Sequence, residues 1–348
     1  MRALVCHAPL DLRLDAVATE ALGPKQLRVR VAFGGICGSD LHYFRHGGFG
    51  TVRLKEPMVL GHEVSGVVAE LGSEVTGFSR GQRIAISPSR PCGVCRYCQQ
   101  GLHNHCMDMR FYGSAMRFPH VQGAFRETLV IDAAQAHAVA DDLPLSQAAL
   151  AEPLSVGLHA IARAGTVFGK RVLVTGCGPI GALLIAGLRR AGAAQIVAAD
   201  IADLPLACAL KMGADQAINL AQNPDGLAPF AANKGFFDVM FEASGSEKAL
   251  VAGLDVVAPR GVMVVVGLGG SVSLPLNTLV GKEIDLRGTF RFHGEFAVAV
   301  SFLNQRLIDG LPVITDIVAF DQANDAFKRA GDKRQSMKVQ IAFDSELV

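Results

Sequence analysis

An excess of charge is the first thing missing from this 348-residue chain: 33 basic side chains face 32 acidic ones, for a formal net charge of +1. Without a field of one sign there is no general attraction to nucleic acid or to an anionic membrane, so the expected partner is a small, locally recognised molecule. No apolar run approaches the roughly 20 residues that a membrane span needs. Met1-Arg2-Ala3-Leu4-Val5-Cys6 leads directly into strand-like sequence, with no charged-then-apolar leader. These absences predict a cytoplasmic protein. Internal repeats, low-complexity tracts and long flexible linkers are also missing, which predicts tightly coupled domains. Half of the residues are hydrophobic, enough for a sizeable core, and the length suggests about two domains of roughly 150 residues each.

The texture of the chain changes once. In residues 1–33 Leu12 and Leu14, then Leu27, Val29, Val31 and Phe33, alternate with mostly polar neighbours, and residues 64–71 and 83–87 continue the pattern between glycine turns. Residues 1–150 are therefore expected to form a β-rich, barrel-like domain. From Gly169 short apolar strands alternate with helical segments, with candidate strands at 171–175, 195–199, 216–220, 237–242, 262–266 and 283–288. Six strands in this rhythm predict a doubly wound nucleotide-binding sheet over 151–289. Residues 290–348, with helices near 295–307 and after Asp321 and a last strand at 337–341, are expected to rejoin the first domain.

Eight cysteines in a long cytosolic chain point to metal ligands or buried thiols, not to a disulfide framework. Cys92, Cys95, Cys98 and Cys106 form C-x2-C-x2-C-x7-C in a lobe spanning 90–107, with Gly93 and Gly101 supplying turns. Four thiolates complete a tetrahedral zinc shell and leave no position open, so the lobe predicts a structural zinc. His103 and His105 are rival ligands in the same loop, though the all-cysteine set is favoured. A nucleic-acid zinc ribbon is disfavoured by the scattered basic residues and by the larger chain around the lobe. Cys6 and Cys208 read as core thiols.

Residues 170–175 read as a strand and are followed by Gly176-Cys177-Gly178-Pro179-Ile180-Gly181 and an apolar helix. The first glycine permits the turn, the second admits a pyrophosphate, the third lets the helix pack, and the helix N-terminus stabilises the phosphate charge. Asp200 ends the next strand about 20 residues on, where a carboxylate can bind ribose hydroxyls. Residues 201–206 hold no Arg or Lys for a 2′-phosphate, which predicts NAD over NADP. Ser155 and Gly267 are further candidate cofactor contacts.

Gly35-Ile36-Cys37-Gly38-Ser39-Asp40-Leu41-His42 packs a thiol, a hydroxyl, a carboxylate and an imidazole into one turn. Such a mixture suits metal-assisted acid/base chemistry. Gly61-His62-Glu63 adds an imidazole and a carboxylate at a strand start, and Glu152 adds another carboxylate at the seam of the domains. Cys37, His62 and one or both of Glu63 and Glu152 would make an open S/N/O zinc site. Asp40 either supports this shell or caps the turn.

These motifs, spread over nearly the whole chain, resemble the zinc-dependent medium-chain dehydrogenases of the polyol (sorbitol dehydrogenase) group. The stretches 41–43, 108–116, 118–121 and 288–292 are similar to the L-idonate 5-dehydrogenases within it. The resemblance implies a GroES-like barrel catalytic domain, a Rossmann domain and homo-oligomers. It also implies metal ligation by Cys37, His62 and Glu63, with Glu152 on the metal's water, although alcohol dehydrogenases carry a cysteine where Glu152 stands and the two glutamates stay interchangeable from sequence. The implied reaction is oxidation of a secondary alcohol, in which Ser39 takes the hydroxyl proton and the proton leaves through the cofactor ribose and His42. L-idonate ranks first as substrate, giving 5-dehydro-D-gluconate, and sorbitol or xylitol second. Arg291 is the candidate for a substrate carboxylate, with Arg110 and Arg117 as rivals, and Tyr43 either contacts a substrate hydroxyl or packs. The contrasting readings are a zinc-free quinone reductase and a noncatalytic nucleotide-binding module.

Overall fold

The computed structural model describes residues 1–347. Its first large sheet is built around the strand Gln26–Gly35, which pairs antiparallel with Glu63–Leu71 on one side. Its other side is shared by two partners: Thr128–Asp132 takes the first half, and Lys338–Ala342, the last strand of the chain, takes the end from Phe33 to Gly35. Leu27, Val29 and Val31 are fully buried while Arg28 and Arg30 lie on the half-buried face, as period-two alternation requires. The sheet runs to seven strands.

The second sheet has six parallel strands in the order Gln216–Asn219, Gln195–Asp200, Arg171–Thr175, Phe237–Glu242, Val257–Val265 and Asp285–Gly288. The expected fold class, a β-rich GroES-like part with a doubly wound six-stranded sheet, is the one found. The strand expected at 262–266 starts earlier, at Val257, and passes through a kink where Arg260 has φ +61. The strand expected at 283–288 starts later, because Glu283 has φ +51 and belongs to the preceding turn. The helix expected at 295–307 closes at Asn304, and Asp321 lies in a 3-10 turn before the helix Ala323–Ala330.

Both faces of the parallel sheet are covered. Val172, Val174, Ile196, Ala198 and Phe241 face one core, and Leu173, Val197, Met240 and Met263 face another with Leu250 and Leu254. Burial on both sides explains why these strands read as continuous apolar runs. Between the two sheets runs the helix Ala151–Ala164, the seam helix. Its Leu154 and Ile161 share one core with Phe33 and Ala85 of the first sheet and Val172 of the second. A Cβ at Gly157 would lie 3.1 Å from the Leu184 Cα, so this glycine lets the seam helix pack tightly on the helix Pro179–Arg190. Among the described residues no helix is long and apolar enough to cross a membrane.

Candidate active site

The strand Gln26–Gly35 ends opposite Glu63, and a Cβ at position 35 would collide with Glu63 Oε2, so glycine is what admits this carboxylate. Cys37 then caps the helix Gly38–His46. Asp40, fully buried, accepts the Cys37 N–H at 3.0 Å and the Gly61 N–H at 3.1 Å. It thus caps its own turn and ties that turn to the His62 segment through backbone. It lies 3.8 Å from His62 Nδ1, too far to orient the imidazole by a direct hydrogen bond. Ser39 and His42, three residues apart on the helix, share a face. The Ser39 hydroxyl lies beside the Cys37 thiol and works to lower its pKa. His42 is exposed, and partial burial together with the charges of His46, Lys333 and Arg45 holds its pKa below the ordinary value near 6.5. Near neutrality its ring is therefore uncharged and able to accept a proton.

Among the described residues, Cys37, His62 and Glu63 bring one ligand atom each to within 4.8 Å of one another. His62 Nδ1 is buried without a hydrogen-bond partner, a costly state that a shared cation relieves, whereas Glu63 Oε2 already has the Lys338 ammonium 2.7 Å away. The S/N/O set fits zinc. Glu152, 5% exposed in the first turn of the seam helix, stands outside this group of three. Burial above all pushes its pKa up to about 8, against the His62 charge and with help from Glu63 and Cys37. Burial and Glu63 likewise push the Cys37 thiol up to about 11.

One member of the cluster was not foreseen. Lys338, buried on the last strand, donates to Glu63 Oε1 at 2.8 Å and to the Ile36 carbonyl at 3.0 Å, and its Nζ lies 2.7 Å from Glu63 Oε2. Burial pulls its pKa down, but the charges of Glu63 and Cys37 prevail and hold it up.

In the lobe, the sulfur of Cys98 lies 4.0 Å from that of Cys92 and 3.6 Å from that of Cys95, and Cys95 lies 4.0 Å from Cys106. A tetrahedron with zinc–sulfur bonds of about 2.3 Å has edges of about 3.8 Å, so the four thiols fit the ion. Backbone N–H groups of Cys92, Cys95 and Asp108 point at sulfurs from 3.2 to 3.3 Å. His103 and His105 stand outside the cage, and His103 instead stacks on His293 with ring centres 3.9 Å apart. Cys6 and Cys208 are buried, each with its sulfur on a backbone carbonyl.

At the nucleotide loop Gly176 has φ +82, and a Cβ at Gly181 would strike the Gly176 carbonyl. Gly178 has nothing within 4 Å of its Cβ direction, the open cradle a pyrophosphate needs beside the helix start at Pro179 and Ile180. Asp200 accepts the Cys177 N–H at 2.7 Å through one oxygen and the Ile201 and Ala202 N–H groups through the other. Gly267 lies just past the strand Val257–Val265, its N–H on the Glu242 carbonyl. Ser155 is fully buried and its hydroxyl donates to the Ala151 carbonyl of its own helix. Beyond Asp200, a groove of about 290 Å³ is lined by Ile201, Ala202, Asp203 and, from the far end of the chain, Arg334. A search of residues 201–206 could not reveal that cation.

Tyr43 is 1% exposed, its oxygen accepting the Ala115 N–H at 3.0 Å, so it packs and anchors the 115 segment while keeping a hydroxyl hydrogen to donate. Arg117 is paired with Asp108, and Arg110 is exposed. Arg291, at φ +53, lies 4.1 Å over the Phe111 ring and 4.9 Å over that of Phe290. Burial pulls its pKa down to about 10, against the pull of Glu152 and Tyr43. Among the described residues it makes no ion pair.

An open mixed-donor group that meets a nucleotide loop along one shared helix is the layout of a metal-assisted alcohol dehydrogenase. Residues 23–141 match the alcohol dehydrogenase GroES-like domain and residues 179–305 the zinc-binding dehydrogenase domain. The chain belongs to the zinc-binding alcohol dehydrogenase family and is an NAD(P)-dependent enzyme. It is 46% identical over 319 residues to L-idonate 5-dehydrogenase (NAD(P)(+)) of Escherichia coli K12, covering 90% of this chain and 91% of that one. To the sorbitol dehydrogenase of Bacillus subtilis it is 33% identical over 346 residues, with 98% and 97% covered. The crystal structure of the Escherichia coli L-idonate 5-dehydrogenase matches with a TM-score of 0.93 at 42% identity, over 98% of this chain and 97% of the other. The resemblance to the polyol group stands.

Proposed function

We propose that this enzyme oxidises L-idonate to 5-dehydro-D-gluconate, with NAD+ preferred as hydride acceptor. The observation that carries the substrate is Arg291, a partly buried guanidinium within reach of the charges of Glu152 and Tyr43 that makes no ion pair among the described residues. A sugar-acid carboxylate supplies the missing counter-charge in a planar, bidentate way. A neutral polyol does not.

Cys37, His62 and Glu63 would hold the catalytic zinc, with Glu152 hydrogen-bonding at the remaining position, and Cys92, Cys95, Cys98 and Cys106 the structural one. A zinc held there would polarise an alcohol oxygen and lower its pKa, and a bound nicotinamide would accept the hydride. Ser39, beside Cys37 on the same turn, receives the hydroxyl proton. His42, on the same helix face and facing solvent, passes it to water. Gly176, Gly178, Pro179, Ile180 and Gly181 seat the pyrophosphate, Gly267 closes the same strand edge, and Asp200 repels a 2′-phosphate.

The division into 1–150 with 290–348 and 151–289 leaves the cleft along the seam helix. The exposed edge strand Asp285–Gly288, with Leu268, Val280 and Leu286 exposed around it, supports a homo-oligomer, which light scattering checks. All eight cysteines are free, in keeping with the reducing cytoplasm.

The deciding experiment compares kcat/KM for L-idonate, sorbitol and xylitol, with each cofactor. We expect L-idonate and NAD+ to lead, and Arg291→Ala to lose about a hundredfold on L-idonate alone. A wild-type enzyme that favours sorbitol would make it a polyol dehydrogenase and remove the role of Arg291.

A further inference from the structure

The 3-10 turn His103-Asn104-His105 lies between the last two cysteines of the lobe, and all three of its side chains engage one distant loop. Asn104, 7% exposed, donates from Nδ2 to the Phe290 carbonyl at 3.0 Å. His103 stacks on His293 at 3.9 Å and 20° between planes, and the His105 ring lies 6.2 Å from Phe290 at 27°. Between the two clamped residues sits Arg291.

We propose that the four-cysteine lobe is a specificity element, with Asn104 as the positioning residue that sets the Phe290–His293 backbone and thereby aims Arg291 into the cleft. The inference rests on the reading of Arg291 as the carboxylate contact. Arg291 has φ +53, a left-handed conformation uncommon for a residue with a long side chain, and its surroundings favour it here. The surroundings here are the Asn104 bond before it, the His103 stack after it and the Phe111 face beneath its guanidinium. The turn is fixed in turn by the sulfur cage: the Cys106 N–H, whose residue is a cage member, closes on the His103 carbonyl at 3.0 Å. Mechanical continuity therefore runs from the cage to residues 103–105, to the loop at 290–293, and to the guanidinium. The buried Asn104 amide donates to a carbonyl 186 residues away and so ties the lobe to that loop. Its consequence is local to the loop it holds.

The test uses the full-length, zinc-replete enzyme. Asn104→Leu keeps the size of the side chain and removes the donor. We expect KM for L-idonate to rise about fivefold to tenfold, the worth of one buried hydrogen bond, with kcat/KM for sorbitol within about twofold and zinc content unchanged. Calorimetric binding of L-idonate to the NADH-loaded enzyme, where no turnover occurs, should weaken by the same factor. In an Arg291→Ala background the Asn104→Leu change should cost nothing further, because the group it positions is gone. His103→Ala should reproduce the pattern at smaller size, and it carries the test if Asn104→Leu loses zinc or fails to fold. Equal losses on acid and polyol, or no loss on the acid, would overturn the proposal. If Arg291→Ala itself shows no selective loss on the acid, the reading of Arg291 fails first, and the two failures are told apart.

Discussion

Lys338 and Glu63 form a fully buried ion pair at the centre of the catalytic cluster, 2.7 to 2.8 Å apart. Removing one partner of such a pair leaves an uncompensated charge and costs about 3–5 kcal/mol, whereas replacing both by neutral groups is nearly neutral. In the zinc-free protein Lys338→Met should therefore lower the free energy of unfolding in urea by that much, and Glu63→Gln combined with Lys338→Met should recover most of it. Equal destabilisation in the single and double variants would mean that the pair contributes packing only. At this scale the sequence was informative where ligand chemistry announces itself, as in Cys37, His62 and the four lobe cysteines. It was silent where a role depends on strand register. Lys338 stands between Met337 and Val339 in an ordinary alternating strand, and only the register of that strand, with Gln340 opposite Gly35, turns it inward to Glu63. Which glutamate joins Cys37 and His62 was likewise undecidable until the strand opposite Gly35 placed Glu63 there. Ser155, read as a cofactor contact, satisfies its hydroxyl inside its own helix, the usual alternative for a helical serine.

Elements followed their patterns except where a turn residue overrode them. Glu283 and Arg260 have positive φ and shift the limits of two sheet strands, which no apolar run announces. The seam helix carries Pro153 directly after Glu152. In the structure that proline falls in the first turn, where a missing N–H costs nothing. The same helix holds His159, whose Nδ1 is 2.9 Å from Glu295 Oε1, while Glu295 also accepts the His293 N–H at 2.9 Å. Burial works to raise the pKa of Glu295, but these hydrogen bonds prevail and bring it down to about 2 from 4.5. A carboxylate held below its unfolded value contributes stability that is present above pH 4.5 and lost as pH falls toward 2. Glu295→Gln should accordingly cost about 1–2 kcal/mol near neutrality, allowing for partial solvent screening, and the gap to the parent should close as unfolding is measured at progressively lower pH below 4. A gap independent of pH would assign Glu295 a packing role instead.

At the scale of the whole molecule, the barrel-like part, the parallel sheet and their order were legible because texture changes once, near Gly169, and each half keeps its own period. The single core shared across the seam was not, since Phe33 and Leu154 are far apart in sequence and meet only when the sheets close on one helix. That shared core predicts how the enzyme behaves when its metals are taken away. The lobe cage offers four sulfurs, while the Cys37, His62 and Glu63 group offers three ligands and leaves a fourth position for water, substrate or a chelator. Dialysis against dipicolinate should therefore remove one zinc of two and abolish hydride transfer with the circular dichroism unchanged, because Phe33, Leu154 and Val172 hold the parts together without the catalytic ion. Cys37→Ser and His62→Ala should keep the lobe zinc and lose turnover, whereas Cys98→Ser should lose the lobe zinc and, through the loop at Phe290, weaken L-idonate before sorbitol. Full activity after chelation, with a single zinc per chain by elemental analysis, would favour the zinc-free quinone reductase reading and would leave Cys37, His62 and Glu63 without a catalytic role.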